Sequence, residues 1–434
     1  MRNPKLKPAA LLWDESYLWG IMAHKALAAS GLSFDLIRSD EVRNGVLSDY
    51  AFLFVPGGWA SNKMKALGDR GVEAIKRFVR DGGAYLGFCG GAGLATMDGI
   101  GLLPVKRRPT KERVPSFSGP IMLDTSDHPL WEGITEPVFH AWWPSQFLTD
   151  KSVSVLASYG EAMPGSFSSD INVRDAEAAG SWLELEKTYG INLDPKRLLR
   201  EPAVIEGRFG EGKVLLSLVH FDTPGDRNGA VVLRNIGKYV GAGMMQDAGS
   251  IIHHKEQPAS RAVHRKTPSA PEAAMTSIES AVADLIDLGQ RNFLWYWRSP
   301  MLLQWRRGVR GLEYCTLFVM VSEIAELFGR LKGDQRTEEI GQCLERLKGA
   351  LYSFIDKSKN LLVRERLAMQ NSNITYERCD DPEIQRLREE LFSLSKSHGG
   401  LFKVLADEID FLLFRLLREV GSLTPYFPGR RSKS

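Results

Sequence analysis

Short apolar runs alternate with amphipathic segments through the first 245 residues. "AALLWD" at 9–14, "FDLIRS" at 34–39, "AFLFVPGG" at 51–58 and "AYLGFC" at 84–89 are apolar on both sides, the pattern of strands buried within a parallel sheet. Between the last two, "DRGVEAIKRFVRDGG" at 69–83 puts Val72, Ile75, Phe78 and Val79 on one helical face. The alternation predicts a doubly wound α/β sheet. Further strands are expected at 119–124, 152–159, 202–210 and 212–222, the last two joined by a tight hairpin punctuated by Gly207, Gly210 and Gly212. Residues 160–201 show no clear register and are expected to line a pocket irregularly.

The pattern then changes twice. Residues 246–275 turn abruptly to His, Ser, Pro and Ala without periodicity, and predict a flexible linker. His253, His254 and His264 fall in it without acidic or cysteine partners at ligand spacing, so they read as a solvated tether. From 276 to 425 the apolar positions follow helical spacing: Ile340, Leu344, Leu347, Leu351 and Phe354 form one series, and Phe402, Leu405, Ile409, Leu412, Leu416 and Val420 another. An all-α bundle of four to six helices is expected there, with Tyr314 to Val321 as a buried helical stretch and a disordered basic tail at 426–434. "FLWYWRSPMLLQWRR" at 293–307 concentrates aromatic rings and arginines, and at helical spacing such rings fill a core or a seam.

Composition narrows the classes. A chain of 434 residues with 43% hydrophobic and 25% charged residues is ordinary globular protein with room for two or three domains. Its net charge of +3 is mild and no basic stripe appears, so nucleic acid is not an expected partner. Four cysteines without a C-x-x-C pair suggest neither a disulfide framework nor a zinc site, and fit a reducing compartment. Asp14 and Glu15 interrupt the first apolar stretch too early for a signal peptide, and no run approaches the ~20 apolar residues of a membrane span. A cytoplasmic protein without a membrane span is expected.

Candidate chemistry centres on "AYLGFCGGAG" at 84–93. An apolar strand breaking into a Gly-rich helix start presents its junction side chain, Cys89, as a nucleophile elbow does. Such a nucleophile needs a base, a group to orient the base, and oxyanion donors. His220 in "LLSLVHFDTPGD" ends a predicted strand and is the candidate base, with Asp222 two residues on to fix its tautomer. The N–H of Gly90, with that of Gly57 or Gly58 in "VPGGWA", supplies candidate oxyanion donors. His128 and His140 read as packing or turn-capping residues. With no P-loop, H-E-x-x-H or dinucleotide fingerprint, neither a cofactor nor a metal is expected.

"FVPGGWA", "IKRFVRDGGAYLGFCGGAGLA" and "SDHPLWEGI" resemble the class I glutamine amidotransferase-like superfamily, and within it the N-terminal domain of biotin-protein ligases. The resemblance covers most of residues 8–242. It implies a flavodoxin-like fold with Cys89 as nucleophile, His220 as base and Asp222 in the place of the usual glutamate. Two departures stand out. Glutamine-hydrolysing members continue the elbow G-x-C-x-G-x-Q, whereas Gly93 stands here in the last place. No ligase half follows, since "RRGVRG" at 306–311 lies in helical context without surrounding strands.

The leading expectation is a Cys-His-Asp hydrolase of amidotransferase type acting on a small carboxamide. The alternative is a non-catalytic ligand-binding or scaffold protein whose helical bundle engages a protein partner or another copy of the chain. A redox-sensing thiol at Cys89 is the third reading.

Overall fold

The computed structural model describes residues 7–243, 269–331, 336–371, 374–375, 379–394 and 397–423. The chain divides into two compact units, Met1–His253 and His254–Ser434. Most of the stretch read as a linker, with His253, His254 and His264, and the basic tail at 426–434 lie outside the described residues.

The first unit is built on an eleven-stranded mixed sheet with flanking helices. Five strands lie side by side and parallel, in the order Phe34–Ile37, Ala9–Leu12, Phe52–Val55, Ala84–Phe88 and Gly212–Ser217. Their apolar runs are explained by burial on both faces: every residue of Ala9–Leu12, Phe52–Val55 and Ala84–Phe88 is buried. Beyond Gly212–Ser217 the sheet turns antiparallel through Pro202–Phe209, Ser154–Ala162 and Phe117–Thr125. The predicted hairpin is there, with Phe209 opposite Gly212 and Gly210 at φ 62°, a left-handed turn that glycine takes without steric cost.

The helix carrying Val72, Ile75, Phe78 and Val79 runs from Ala60 to Arg80 and breaks once at Gly68 (φ 59°, ψ 177°). Ile75 and Val79 are buried under it while Val72 and Phe78 are half-buried at its margin. Leu18–Ser30 and Arg227–Val240 pack together as a second helical layer. Residues 160–201 are more regular than their sequence suggests: Phe167–Ser168 and Ile171–Asn172 extend the sheet, and helices cover Val173–Ala179 and Trp182–Tyr189.

In the second unit five helices are described, Ala270–Arg291, Gly311–Arg330, Glu338–Asn371, Pro382–Phe392 and Gly400–Leu423. Tyr314, Phe354, Phe392 and Phe402 meet at its centre, with ring centroids 5.7–6.4 Å apart. Two sequence expectations are corrected here. The first helix begins at Ala270, inside the stretch 246–275, because Ser269 and Glu272 form a capping box that starts it.

The aromatic stretch at 293–307 is not helical, and the unit is therefore not all-α. Trp295–Ser299 and Leu302–Trp305 form an antiparallel hairpin, with Trp295 opposite Trp305. Pro300 in the turn lacks the N–H a helix needs, and the rings alternate across the ribbon, Trp295 buried and Tyr296 exposed. Trp295 donates to the Ile286 carbonyl at 3.0 Å and lies against Gly289, where a Cβ would come within 2.1 Å of its ring. "RRGVRG" forms the turn after this hairpin, with Gly308 at φ 92°, and leads into Gly311–Arg330.

Candidate active site

Cys89 stands between the strand Ala84–Phe88 and the short helix Gly90–Ala95, with φ 47° and ψ −103°. A positive φ in a residue with a Cβ costs roughly 1–3 kcal/mol, and it persists only where the surroundings fix it. The surroundings do so by close packing. Cys89 N–H donates to the Ser217 carbonyl at 2.8 Å, tying the elbow to the neighbouring strand. A Cβ on Gly90 would stand 1.8 Å from the Gly58 carbonyl oxygen, and one on Gly91 1.9 Å from that of Val55. Only glycines let the helix start press on the loop Pro56–Gly58. The Cys89 side chain itself is half-buried.

His220 and Asp222 lie beyond the end of the adjacent strand Gly212–Ser217, at the same carboxyl rim of the sheet. Both are fully buried, and His220 Nδ1 is 2.9 Å from Asp222 Oδ1. The backbone holds them in a compact turn: His220 N–H donates to the His140 carbonyl at 2.7 Å, and Thr223 Oγ1 donates to the His220 carbonyl at 2.9 Å. Burial by itself would lower the imidazole pKa. The Asp222 carboxylate and then Cys89 overcome it, and the ring is pushed up to about 10. Nε2 has no hydrogen-bond partner of ordinary geometry among the described residues, although Cys89 is near enough to raise the ring's pKa. One nitrogen is therefore oriented and the other is left for chemistry.

The remaining predicted residues gather around this pair. A Cβ on Gly57 would lie 3.2 Å from His220 Cε1, and Gly58 has φ 110° with the Glu15 carbonyl 2.5 Å from any added Cβ. The N–H groups of Gly57, Gly58 and Gly90 donate to no backbone carbonyl among the described residues. His140 stacks on Trp142 with centroids 5.3 Å apart and sits 3.4 Å from Asp226, while His128 accepts from the Leu130 N–H at 3.3 Å. Both have the packing and capping roles their sequence context suggests.

Other residues at the rim carry no motif of their own. Trp19 lies on His220, with centroids 4.8 Å apart, and meets Trp143 edge-on at 6.1 Å. Glu15, Tyr17 and Trp143 share with Cys89 the uncommon positive φ, so backbone strain is concentrated around this rim. Arg107 fills the space left by Gly93: its Nη1 is 2.9 Å from where a Cβ on that glycine would stand. Arg113 and Tyr159 lie within electrostatic reach of Cys89. The bare Gly93 in the elbow was the only sequence signal for any of them. Among the described residues no group of three or more His, Cys, Asp or Glu side chains is placed to hold a metal, and no helix is long and apolar enough to cross a membrane. A broad cleft lined by Lys7, Tyr50, Phe78 and Val240 opens at the opposite, amino-terminal rim, away from these residues.

Comparison with known proteins is consistent with part of this picture. The family of biotin-protein ligase N-terminal domains matches residues 43–98, which include the Gly57–Gly58 loop and the Cys89 elbow but stop short of His220 and Asp222. No curated protein matches the chain. Among solved structures, a candidate GMP synthase component from Thermoplasma acidophilum is 12% identical, with 54% of this chain and 94% of that one covered at a TM-score of 0.36. A ThuA-like protein from Bacteroides uniformis is also 12% identical, with coverage of 55% and 94% and a TM-score of 0.35. A β-galactosidase from Bacillus circulans sp. alkalophilus is 13% identical, with coverage of 54% and 30% and a TM-score of 0.32.

Proposed function

We propose that the α/β unit is a flavodoxin-like, amidotransferase-type cysteine hydrolase that cleaves a small carboxamide. The observation that carries this reading is a strained Cys89 elbow beside a buried, oriented His220–Asp222 pair whose Nε2 is unpartnered. In the reaction, Cys89 attacks as its thiolate beside the His220 imidazolium. The Sγ–C bond forms, the carbonyl becomes a tetrahedral oxyanion, and the N–H groups of Gly90 and Gly58 hold it. His220 Nε2 gives its proton to the departing nitrogen, the C–N bond breaks, and ammonia or a small amine leaves a thioester. Water then attacks the thioester and Nε2 accepts its proton. The C–S bond breaks to release a carboxylate and restore the thiolate.

A ring pKa of about 10 suits these steps because it keeps a proton on His220 at neutral pH for the leaving group. Asp222 stays within hydrogen-bond distance of Nδ1 throughout, so the imidazole cannot turn away. Acid–base transfer of this kind contributes roughly 10²–10⁴-fold, and positioning with oxyanion stabilisation supplies the larger share.

The test is alkylation of each cysteine by iodoacetamide in the full-length chain, read by mass spectrometry, together with a carboxamide screen for released ammonia. Rapid labelling of Cys89 that slows in His220→Ala is the expected result. Labelling no faster than that of a free thiol and indifferent to His220 would sink the assignment. One observation favours the second reading, a ligand-binding module without turnover: Arg107 occupies the space beside Gly93 where glutamine-hydrolysing relatives carry an elbow Gln. Ligand binding without ammonia release, in a chain whose Cys89 is slow, would select it.

A further inference from the structure

The turn that follows the central strand Ala9–Leu12 is clasped by the helix that follows the loop Pro56–Gly58. Lys63 stands on the first turn of that helix, Ala60–Arg80, and is fully buried. Lysine is almost never fully buried unless its head group is paired, and here the amine gathers the turn. It donates to Ser16 Oγ at 2.5 Å and to the Asp14 carbonyl at 3.2 Å. Ser16 Oγ in turn donates to the Leu12 carbonyl at 3.2 Å, at the end of the strand. Beside Lys63, Asn62 Nδ2 donates to Glu15 Oε2 at 3.3 Å. Two neighbouring residues of one helix start therefore hold Asp14, Glu15 and Ser16 together.

Gly58 is packed against both parts of the clasp. The Glu15 carbonyl oxygen is 2.5 Å, and Lys63 Cε 3.4 Å, from where a Cβ on Gly58 would stand. The turn itself is strained, with Glu15 at φ 57° and Tyr17 at φ 45°. Such a backbone persists in residues with a Cβ only where the surroundings over-determine it. Without the amine of Lys63 the turn is freer to relax, and the carbonyl that moves first is the one pressed on Gly58. An apolar side chain of the same length would fill the space without desolvating an amine, but it could not draw a hydroxyl and a carbonyl oxygen to one point.

We infer that Lys63 is a positioning residue for the proposed reaction. By clasping the turn Asp14–Ser16 it fixes Gly58, and with it the N–H that receives the oxyanion formed when Cys89 attacks a carbonyl. Its effect passes through the backbone of the two loops, and a donor displaced by about 1 Å can cost roughly 10²-fold in rate. The inference rests on Cys89 being the nucleophile and Gly58 an oxyanion donor, and the experiment separates its failure from theirs.

Two reagents distinguish positioning from reactivity at Cys89. Iodoacetamide is attacked at its methylene carbon: the S–C bond forms, iodide leaves and no oxyanion arises. p-Nitrophenyl acetate is attacked at its carbonyl: the S–C bond forms, the carbonyl oxygen becomes an oxyanion, and p-nitrophenolate leaves as the carbonyl re-forms. Both rates are read at Cys89 in the full-length chain by mass spectrometry, and the ratio of acetylation to alkylation is divided by that of N-acetylcysteine. Lys63→Met should lower the corrected ratio at least about tenfold, and up to roughly 10²-fold, with alkylation unchanged. Ser16→Ala, which removes one acceptor and leaves the Asp14 contact, should lower it less. An unchanged ratio in Lys63→Met would overturn the positioning role and leave the nucleophile standing. Acetylation and alkylation changing in parallel is the mark of a loosened fold and would overturn it equally. Should Lys63→Met fail to fold, Ser16→Ala decides, and an unchanged ratio there overturns the role. Slow alkylation of the wild type, indifferent to His220→Ala, would overturn the nucleophile itself and this inference with it.

Discussion

Cys89 and Cys315 are the same residue in two kinds of setting. Cys315 is fully buried within the helix Gly311–Arg330, its thiol donates to the Met301 carbonyl at 3.2 Å, and burial pushes its pKa up to about 12. Cys89 is half-buried on a strained elbow beside an imidazole that has an unpartnered nitrogen. The arginines show the same contrast. In the helical unit Arg388 is buried with every arm satisfied, donating to Glu365 at 2.8 Å, to the Thr375 carbonyl at 2.8 Å and to the Gly308 carbonyl at 2.7 Å. In the α/β unit Arg113 has hydroxyl partners only, among the described residues. Within each pair the residue type is the same, and what differs is burial and the completeness of polar pairing.

The sharpest way to break this comparison is to replace each cysteine by glycine. Cys89→Gly should abolish ammonia release while raising the stability of the α/β unit by about 1 kcal/mol, because glycine relieves the positive φ. Activity assays and denaturant unfolding read the two effects. A stability loss on this replacement would show that Cys89 is a packing residue.

Next in size is the buried ion pair. Arg388→Leu should destabilise the helical unit by about 3–5 kcal/mol, since it leaves the buried Glu365 carboxyl, which burial already pushes up to about 7, and two backbone carbonyls without their partner. Hydrogen exchange across Pro382–Phe392 measures it, and the alkylation rate of Cys89 should not change. In the same unit Cys315→Gly should cost about 2 kcal/mol, the sum of lost helix propensity and lost burial. Its urea midpoint, set against that of Cys89→Gly, should move in the opposite direction.

The remaining test is a pH dependence. The His220 pKa rises from 6.5 in the ordinary case to about 10 in the fold, so the protonated ring stabilises the fold fully below about 6.5. That stabilisation is lost as pH rises toward about 10. Asp222→Asn removes the main cause of the shift. The stability difference between it and the wild type should therefore be fully present at about pH 6.5 and shrink toward pH 10. A difference independent of pH would place the contribution of Asp222 in packing.

Parts of this molecule were legible along the chain for local reasons. The strands at 9–14, 51–58 and 84–89 are apolar on both sides because both their faces are covered, and the Gly-rich elbow reads as such because only glycine tolerates the close approach of Gly58 and Val55. The hairpin at 295–305 was not legible as a hairpin. Its rings satisfy a helical and an alternating pattern over so short a run, and only Pro300 and the turn beside it separate the two.

By itself the sequence determined the α/β alternation, the placement of Cys89 at a strand end, and the position of His220 and Asp222 after a later strand. These follow from periodicity and turn chemistry, which act over a few residues. Tertiary structure alone decided that Gly212–Ser217 lies beside Ala84–Phe88, so that Ser217 holds the elbow and His220 comes to it. It also decided that Arg107 lies over Gly93 while Arg108, next along the chain, is neutralised by Glu201. Strand order and long-range packing set those meetings, and no local pattern in the chain encodes which distant side chains will share a low-dielectric space.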